Sequence, residues 1–125
     1  MASSPAPAIV RLDTSARFSE AVVHGGVAFL AGQVPADDAL APDAAAQTRS
    51  VLAQVDALLA RCGSDKSRLL SATVYLTSME AYAGMNEAWA AWLPAGTAPA
   101  RATVGNVTLA KKEWLVEIVV VAAVA

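Results

Sequence analysis

Cysteine, histidine and charge are all scarce in this chain, and each scarcity excludes something. A single cysteine, Cys62, rules out an internal disulfide. A single histidine, His24, leaves no Cys/His spacing for a metal, and a Ser-His-Asp arrangement would have to use it without any G-x-S-x-G turn in the sequence. Charged residues are only 16% of the 125, and nine Lys plus Arg against eleven Asp plus Glu give a net charge of −2 with no block of either sign. With a pI near 5.2, the chain offers no basic stripe for a nucleic acid. Gly25-Gly26 lacks the Gly-Lys-Ser/Thr that completes a phosphate-binding loop. The most apolar run, Leu115 to Ala125, is interrupted by Glu117 and falls far short of the ~20 residues that cross a bilayer, so it reads as a strand. No cationic start followed by an apolar stretch marks export, and the expected location is the cytoplasm.

Apolar residues are what the chain has in plenty, at 56%. That excludes disorder, although much of the surplus is alanine. So small a chain with so few charges has difficulty covering itself in polar groups, which points to apolar surface buried against further copies of itself.

Residues 1–8 (MASSPAPA) are small, Pro-rich and without periodicity, a loose lead-in to a single domain over 9–125. Ile9 to Leu12 reads as a short strand, and Ala21 to His24 and Val27 to Ala31 as a hairpin turning on Gly25-Gly26. Asp43 is placed to cap a helix running to about Cys62, with Gly63 just past its end and Val51, Leu52, Val55, Leu58 and Leu59 on its core face. Leu69 to Leu76 is a strand by its β-branched and aromatic content. Thr77 and Glu80 have capping-box spacing before a second helix, whose Tyr82, Met85, Trp89 and Trp92 form a core stripe ending at Pro94. Arg101 to Leu109 and Leu115 to Val124 read as a final pair of strands. Together these elements predict an α+β sandwich of two layers, with both helices on one face of a mixed sheet.

Two charged residues stand out in this setting. Glu117 lies inside Leu-Val-Glu-Ile-Val-Val-Val, where a carboxylate needs either a partner or a function. An edge-strand charge that blocks aggregation, or an ion pair closing an interface, would also explain it. Arg101 opens a strand of small and apolar residues, and its guanidinium suits either a structural ion pair or a carboxylate ligand held through two hydrogen bonds. Across a plain hairpin in which Leu109 faces Leu115, Glu117 would face Val107 and Arg101 would face Ala123, roughly 20 Å apart along the sheet. Within one chain they cannot share a site. If they cooperate, the site lies between copies.

Gly32-Gln33-Val34-Pro35, Gln47-Thr48, Val74-Tyr75-Leu76-Thr77, Met85-Asn86, Pro99-Ala100-Arg101 and Val116-Glu117-Ile118 occur in an order that resembles the Rid (YjgF/YER057c/UK-type) family from about Val10 to Val124. Arg11-Leu12-Asp13 and Ala16-Arg17-Phe18-Ser19 resemble its YoaB-like branch. The resemblance implies a chorismate-mutase-like subunit, a homotrimer with its sheets in a central barrel, and clefts between subunits. It also implies hydrolysis of reactive 2-imino or 2-enamino acids to 2-oxo acids and ammonia without a cofactor. By motif position Arg101 would hold the substrate carboxylate and Glu117 would activate water. Thr103, Gly32, Ala31, Phe18 and Asn86 would line the cleft. Phe18 stands where the best-characterised active branch has a tyrosine, and Thr103 where many members have a cysteine. One residue more than the family pattern separates Arg101 from Glu117; it is either absorbed in the connecting turn or moves Glu117 to the other face of its strand. Alternatives are a non-catalytic relative that binds small carboxylates or a protein, and an endoribonuclease or translation inhibitor, which the low pI disfavours.

Overall fold

The helix and strand boundaries follow the local signals closely. The computed structural model describes residues 6–125; of the expected lead-in, 1–5 lie outside the described residues and 6–8 are exposed and irregular. Strand β1 (Val10–Leu12) pairs with β2 (Ala21–His24), which turns into β3 (Val27–Leu30). At that turn Gly25 and Gly26 have φ of 57° and 80°. Such a pair of left-handed residues gives a two-residue turn the twist of its flanking strands. Helix α1 (Ala44–Arg61) is capped by the Asp43 carboxylate, which accepts from the Ala46 amide at 3.1 Å, and Gly63 follows its C-cap with φ of 78°.

Strand β4 (Leu69–Leu76), helix α2 (Tyr82–Trp92), β5 (Ala100–Val104) and β6 (Val116–Ala123) complete the chain. Among the described residues six strands lie in the order β1-β2-β3-β6-β4-β5, and of these only β4 and β5 run parallel. Alternate residues of the central strands, Val74 and Leu76 on β4 and Val116, Ile118 and Val120 on β6, are buried with Leu52, Val55 and Leu59 of α1 and Met85 of α2. This is the expected α+β sandwich.

Three expectations need correction. The last two strands do not form a hairpin: β4 lies between β5 and β6, and residues 105–115 cross back over it as irregular chain. The unit β4-α2-β5 is a parallel crossover, which requires a helix between its strands and sends β5 to the far side of β4. Nor do Thr77 and Glu80 form a capping box. The Thr77 amide donates to the Leu115 carbonyl, and Ser78 instead caps a 3₁₀ turn over Met79–Ala81 by accepting from the Glu80 amide at 3.2 Å. Tyr82 is 39% exposed, unlike the buried Met85 and Trp89. A helical side chain lies over the turn that precedes it, and for Tyr82 that turn is the short 3₁₀ segment rather than the core.

The long chain between β5 and β6 is nevertheless fixed where it enters β6. Gln47, fully buried on α1, donates to the carbonyls of Ala41 and Glu113 and accepts from the Leu115 amide, each at 2.8–3.0 Å. A buried amide with all three bonds made anchors the start of β6, and with it Glu117, to the helix layer.

Candidate active site

Strand alternation sends the two conspicuous charges in opposite directions. Arg101 pairs with the buried Ala72 of β4 and turns toward the helices. Its Nη1 lies 3.7 Å from the Met85 sulfur, and its guanidinium carbon 5.4 Å from the centre of the Trp89 ring. An aromatic face holds a guanidinium without neutralising it, leaving its planar fork available to a carboxylate. Thr103 pairs with buried Val74 on the same side of the sheet, and half-buried Asn86 follows Met85 on α2. Arg101, Thr103 and Asn86 therefore belong to the β5–α2 end of the molecule. Val104 is 40% exposed on β5, which among the described residues has no strand on its outer side.

Glu117 pairs with Tyr75 and lies between buried Val116 and Ile118, so its side chain leaves the opposite face. Two strands and three residues of register separate it from Arg101, roughly 14 Å in the plane of the sheet. This replaces the longer hairpin-based separation and adds the difference of face. One chain cannot bring the two together.

Glu117 instead lines a groove of about 750 Å³ with Phe18, Glu20, Gly32, Gln33 and Trp114. Gly32 is required there by close approach, since a Cβ at this position would come within 2.5 Å of Glu117 Oε2. Phe18 is 56% exposed at the rim, and Ala31 is half-buried beside Gly32. The buried Gln33 pairs its backbone with Ile118 in both directions, Gln33 N to Ile118 O at 2.9 Å and Ile118 N to Gln33 O at 3.0 Å. The groove is thus built on a second, isolated bridge between the chain after β3 and β6. The additional residue before Glu117 has not turned it away from Gly32.

Asp13 and Arg61 close another wall of this groove in a forked pair with contacts of 2.6 and 3.0 Å. The hydrogen bonds and charge of Arg61 hold the Asp13 carboxyl below its ordinary range, and the same contacts push Arg61 up. Since Asp13 binds its proton more weakly folded than unfolded, the pair stabilises the fold above the unfolded pKa of about 3.9, and that contribution fades as pH falls through the lowered value. The difference in melting temperature between wild type and Arg61→Met should therefore hold from neutral pH to about pH 4 and close below it. Both side chains are half exposed, so the difference is small and shrinks in high salt. Thermal melts across pH at two ionic strengths measure it.

Of the residues singled out from the sequence, Phe18, Gly32 and Glu117 line one groove, with Ala31 beside it, while Arg101, Thr103 and Asn86 stand apart from it. Glu20, Gln33, Trp114 and the Asp13–Arg61 pair were not legible as groove residues. Glu20 and Gln33 are thirteen residues apart yet joined by a hydrogen bond, and the only sequence signal was that Gln33 lies within a quoted motif and Glu20 directly follows one.

The chain matches the family model described as Endoribonuclease L-PSP over residues 8–124. It is 47% identical over 116 residues to a RutC family protein of Haemophilus ducreyi, covering 93% of this chain and 97% of that one. To the RutC family protein YoaB of Escherichia coli it is 46% identical over 116 residues, covering 93% and 98%. A crystal structure of a YjgF-family member from Neisseria meningitidis superposes with a TM-score of 0.89 at 47% identity, covering 94% of this chain and 96% of that one. The chorismate-mutase-like α+β fold is common to both.

Proposed function

Because the chain belongs to the Endoribonuclease L-PSP family, which includes the YjgF and RutC proteins, we propose that it hydrolyses reactive 2-imino and 2-enamino acids at clefts between three copies of itself. The observation that carries this reading is the division of the site. Glu117 and Gly32 occupy one groove, whereas Arg101 projects on the other face from β5, the strand at the edge of the sheet beyond β4. A homotrimer joins the two halves by setting the β5 end of one copy against the groove of the next. The open sheet face supplies apolar surface for such packing, with Phe29 48% exposed beside Val121 and Val119.

In the assembled cleft the partner subunit's Arg101 grips the substrate carboxylate, with Thr103 and Asn86 near it, and Phe18 forms an aromatic wall. The substrate's C2, conjugated to a protonated nitrogen, is already electrophilic. Glu117 takes a proton from water as its oxygen bonds to C2. The C=N electron pair moves onto nitrogen as water adds, and the proton on Glu117 passes to that amino group. The C–N bond breaks as the new hydroxyl returns its proton to Glu117 and becomes the carbonyl. Ammonia leaves with that proton as ammonium, so that the 2-oxo acid remains and Glu117 is again a carboxylate. Positioning and modest acid–base help suffice for such a carbon, and no cofactor is called for. A polyanion such as RNA fits poorly: Asp13, Glu20 and Glu117 line the groove, and its one arginine is already paired with Asp13.

With an amino acid oxidase or a dehydratase generating the imine in solution, the purified protein should accelerate appearance of the oxo acid. Unchanged kinetics while the generating enzyme is active would overturn the reading. A small carboxylate bound in the cleft without turnover would favour a non-catalytic relative.

A further inference from the structure

The strand β3 releases its chain at Leu30, yet Ala31 and Gln33 beyond it are both tied to Glu20 by hydrogen bonds. The Ala31 amide donates to the Glu20 carbonyl at 2.8 Å. The Gln33 side-chain amide donates to Glu20 Oε2 at 3.2 Å and to the Ala31 carbonyl at 3.0 Å. Both of its N–H groups are thereby used, as a buried amide requires. The backbone of Gln33 is bonded on both sides to Ile118, the residue after Glu117. Glu20 is itself fixed, its amide donating to the Leu12 carbonyl at 2.9 Å.

Gly32 is therefore suspended between two residues that Glu20 clamps, one through its backbone and one through its carboxylate. It is also the surface against which the Glu117 carboxylate rests, at a distance that leaves no room for a methyl group. We infer that Glu20 is a positioning residue: by holding Gln33 it sets Gly32 against Glu117 and fixes where that carboxylate stands in the groove. The Arg101 grip lies on another strand and another face, so its strength does not depend on this clamp. The inference rests on the deaminase reading for its catalytic meaning, while its geometric content can be tested without it.

Two substitutions separate the hydrogen bond from the charge. Glu20→Gln keeps an oxygen for the Gln33 amide and removes the charge, whereas Glu20→Ala removes both. On an imine substrate, Glu20→Ala should lose about tenfold in kcat with KM nearly unchanged, and Glu20→Gln should stay within about twofold of wild type. Amide hydrogen exchange at Gln33 and Ile118 should quicken in Glu20→Ala and not in Glu20→Gln. This second readout survives even if no imine is hydrolysed, so failure of the deaminase reading and failure of the clamp are distinguishable. Wild-type kcat in Glu20→Ala, a loss confined to KM, an equal loss in Glu20→Gln, or unchanged exchange in Glu20→Ala would each overturn the inference. Should Glu20→Ala not fold, Glu20→Asp keeps the charge but draws it back by one methylene, and the same loss of kcat is expected of it; wild-type kcat there would overturn the inference.

Discussion

Arg101→Ala and Glu117→Gln subunits, each inactive alone, should recover about a quarter of the wild-type rate when denatured together in equal amounts and refolded. If every cleft takes its glutamate from one copy and its arginine from the next, an intact cleft needs a Glu-bearing subunit in the first place and an Arg-bearing subunit in the second. Random assembly provides that combination once in about four whatever the size of the ring. Each parent should be severely impaired: losing the Arg101 grip on a desolvated carboxylate costs roughly 2–5 kcal/mol, about thirtyfold to several thousandfold in kcat/KM, and losing the Glu117 base costs about a hundredfold or more. A site complete within one chain would give no recovery at all, because every subunit lacks one of its two groups. Zero recovery from refolded, correctly sized oligomers would therefore remove the shared cleft from the account. Ammonia release measured against the mixing ratio is the readout, with a maximum expected near equal proportions.

Gly32→Ala should abolish most activity while leaving the fold intact, the second large effect. Gly32 does not have the positive φ that disfavours alanine, so the backbone accepts the new residue without strain. Fewer conformations in the unfolded chain would even favour folding by about 0.4–1 kcal/mol if nothing else moved. What must move is Glu117, because the added methyl would stand 2.5 Å from its Oε2 and 2.9 Å from its carboxyl carbon. The far end of a glutamate swings aside more easily than a strand shifts, so the carboxylate leaves its place in the groove. A displacement on the order of 1 Å at a group that orients water lowers the rate by about a hundredfold. An unchanged melting temperature with a collapsed kcat is the expected pair of results; a normal kcat would show that the catalytic proton transfer does not depend on where Glu117 stands.

Most of the fold was legible because most of its signals are local. Asp43 and Gly63 bracket α1, one residue before its start and two past its end, Gly25-Gly26 marked the hairpin, and Leu69 to Leu76 is a strand over the whole predicted stretch. The pairing of β5 was misread because adjacency in sequence was taken for adjacency in the sheet. The signal that decides it is the helix between β4 and β5, which makes the pair parallel and leaves the place beside β4 on the inner side to β6. At the start of α2 the spacing of Thr77 and Glu80 pointed to a capping box, but the Thr77 amide is taken by Leu115, 38 positions away, and Ser78 does the capping. The candidate site divides in the same manner. Glu117 and Arg101 were conspicuous because each interrupts an apolar stretch, whereas Glu20 and Gln33 matter only through a contact between distant segments.

The anchoring of Leu115 by Gln47 has a consequence for how this chain tolerates change. Since β5 and β6 never pair, the length of the connection between them does not set the register of Glu117; β4 and the Gln47 amide do. Insertions or deletions between Val107, whose amide donates to the Leu76 carbonyl, and Glu113 should therefore not turn the carboxylate to the other side. A peptide grafted there should leave Glu117 in register, while one placed at Ala110 would reshape the groove wall that this residue contributes.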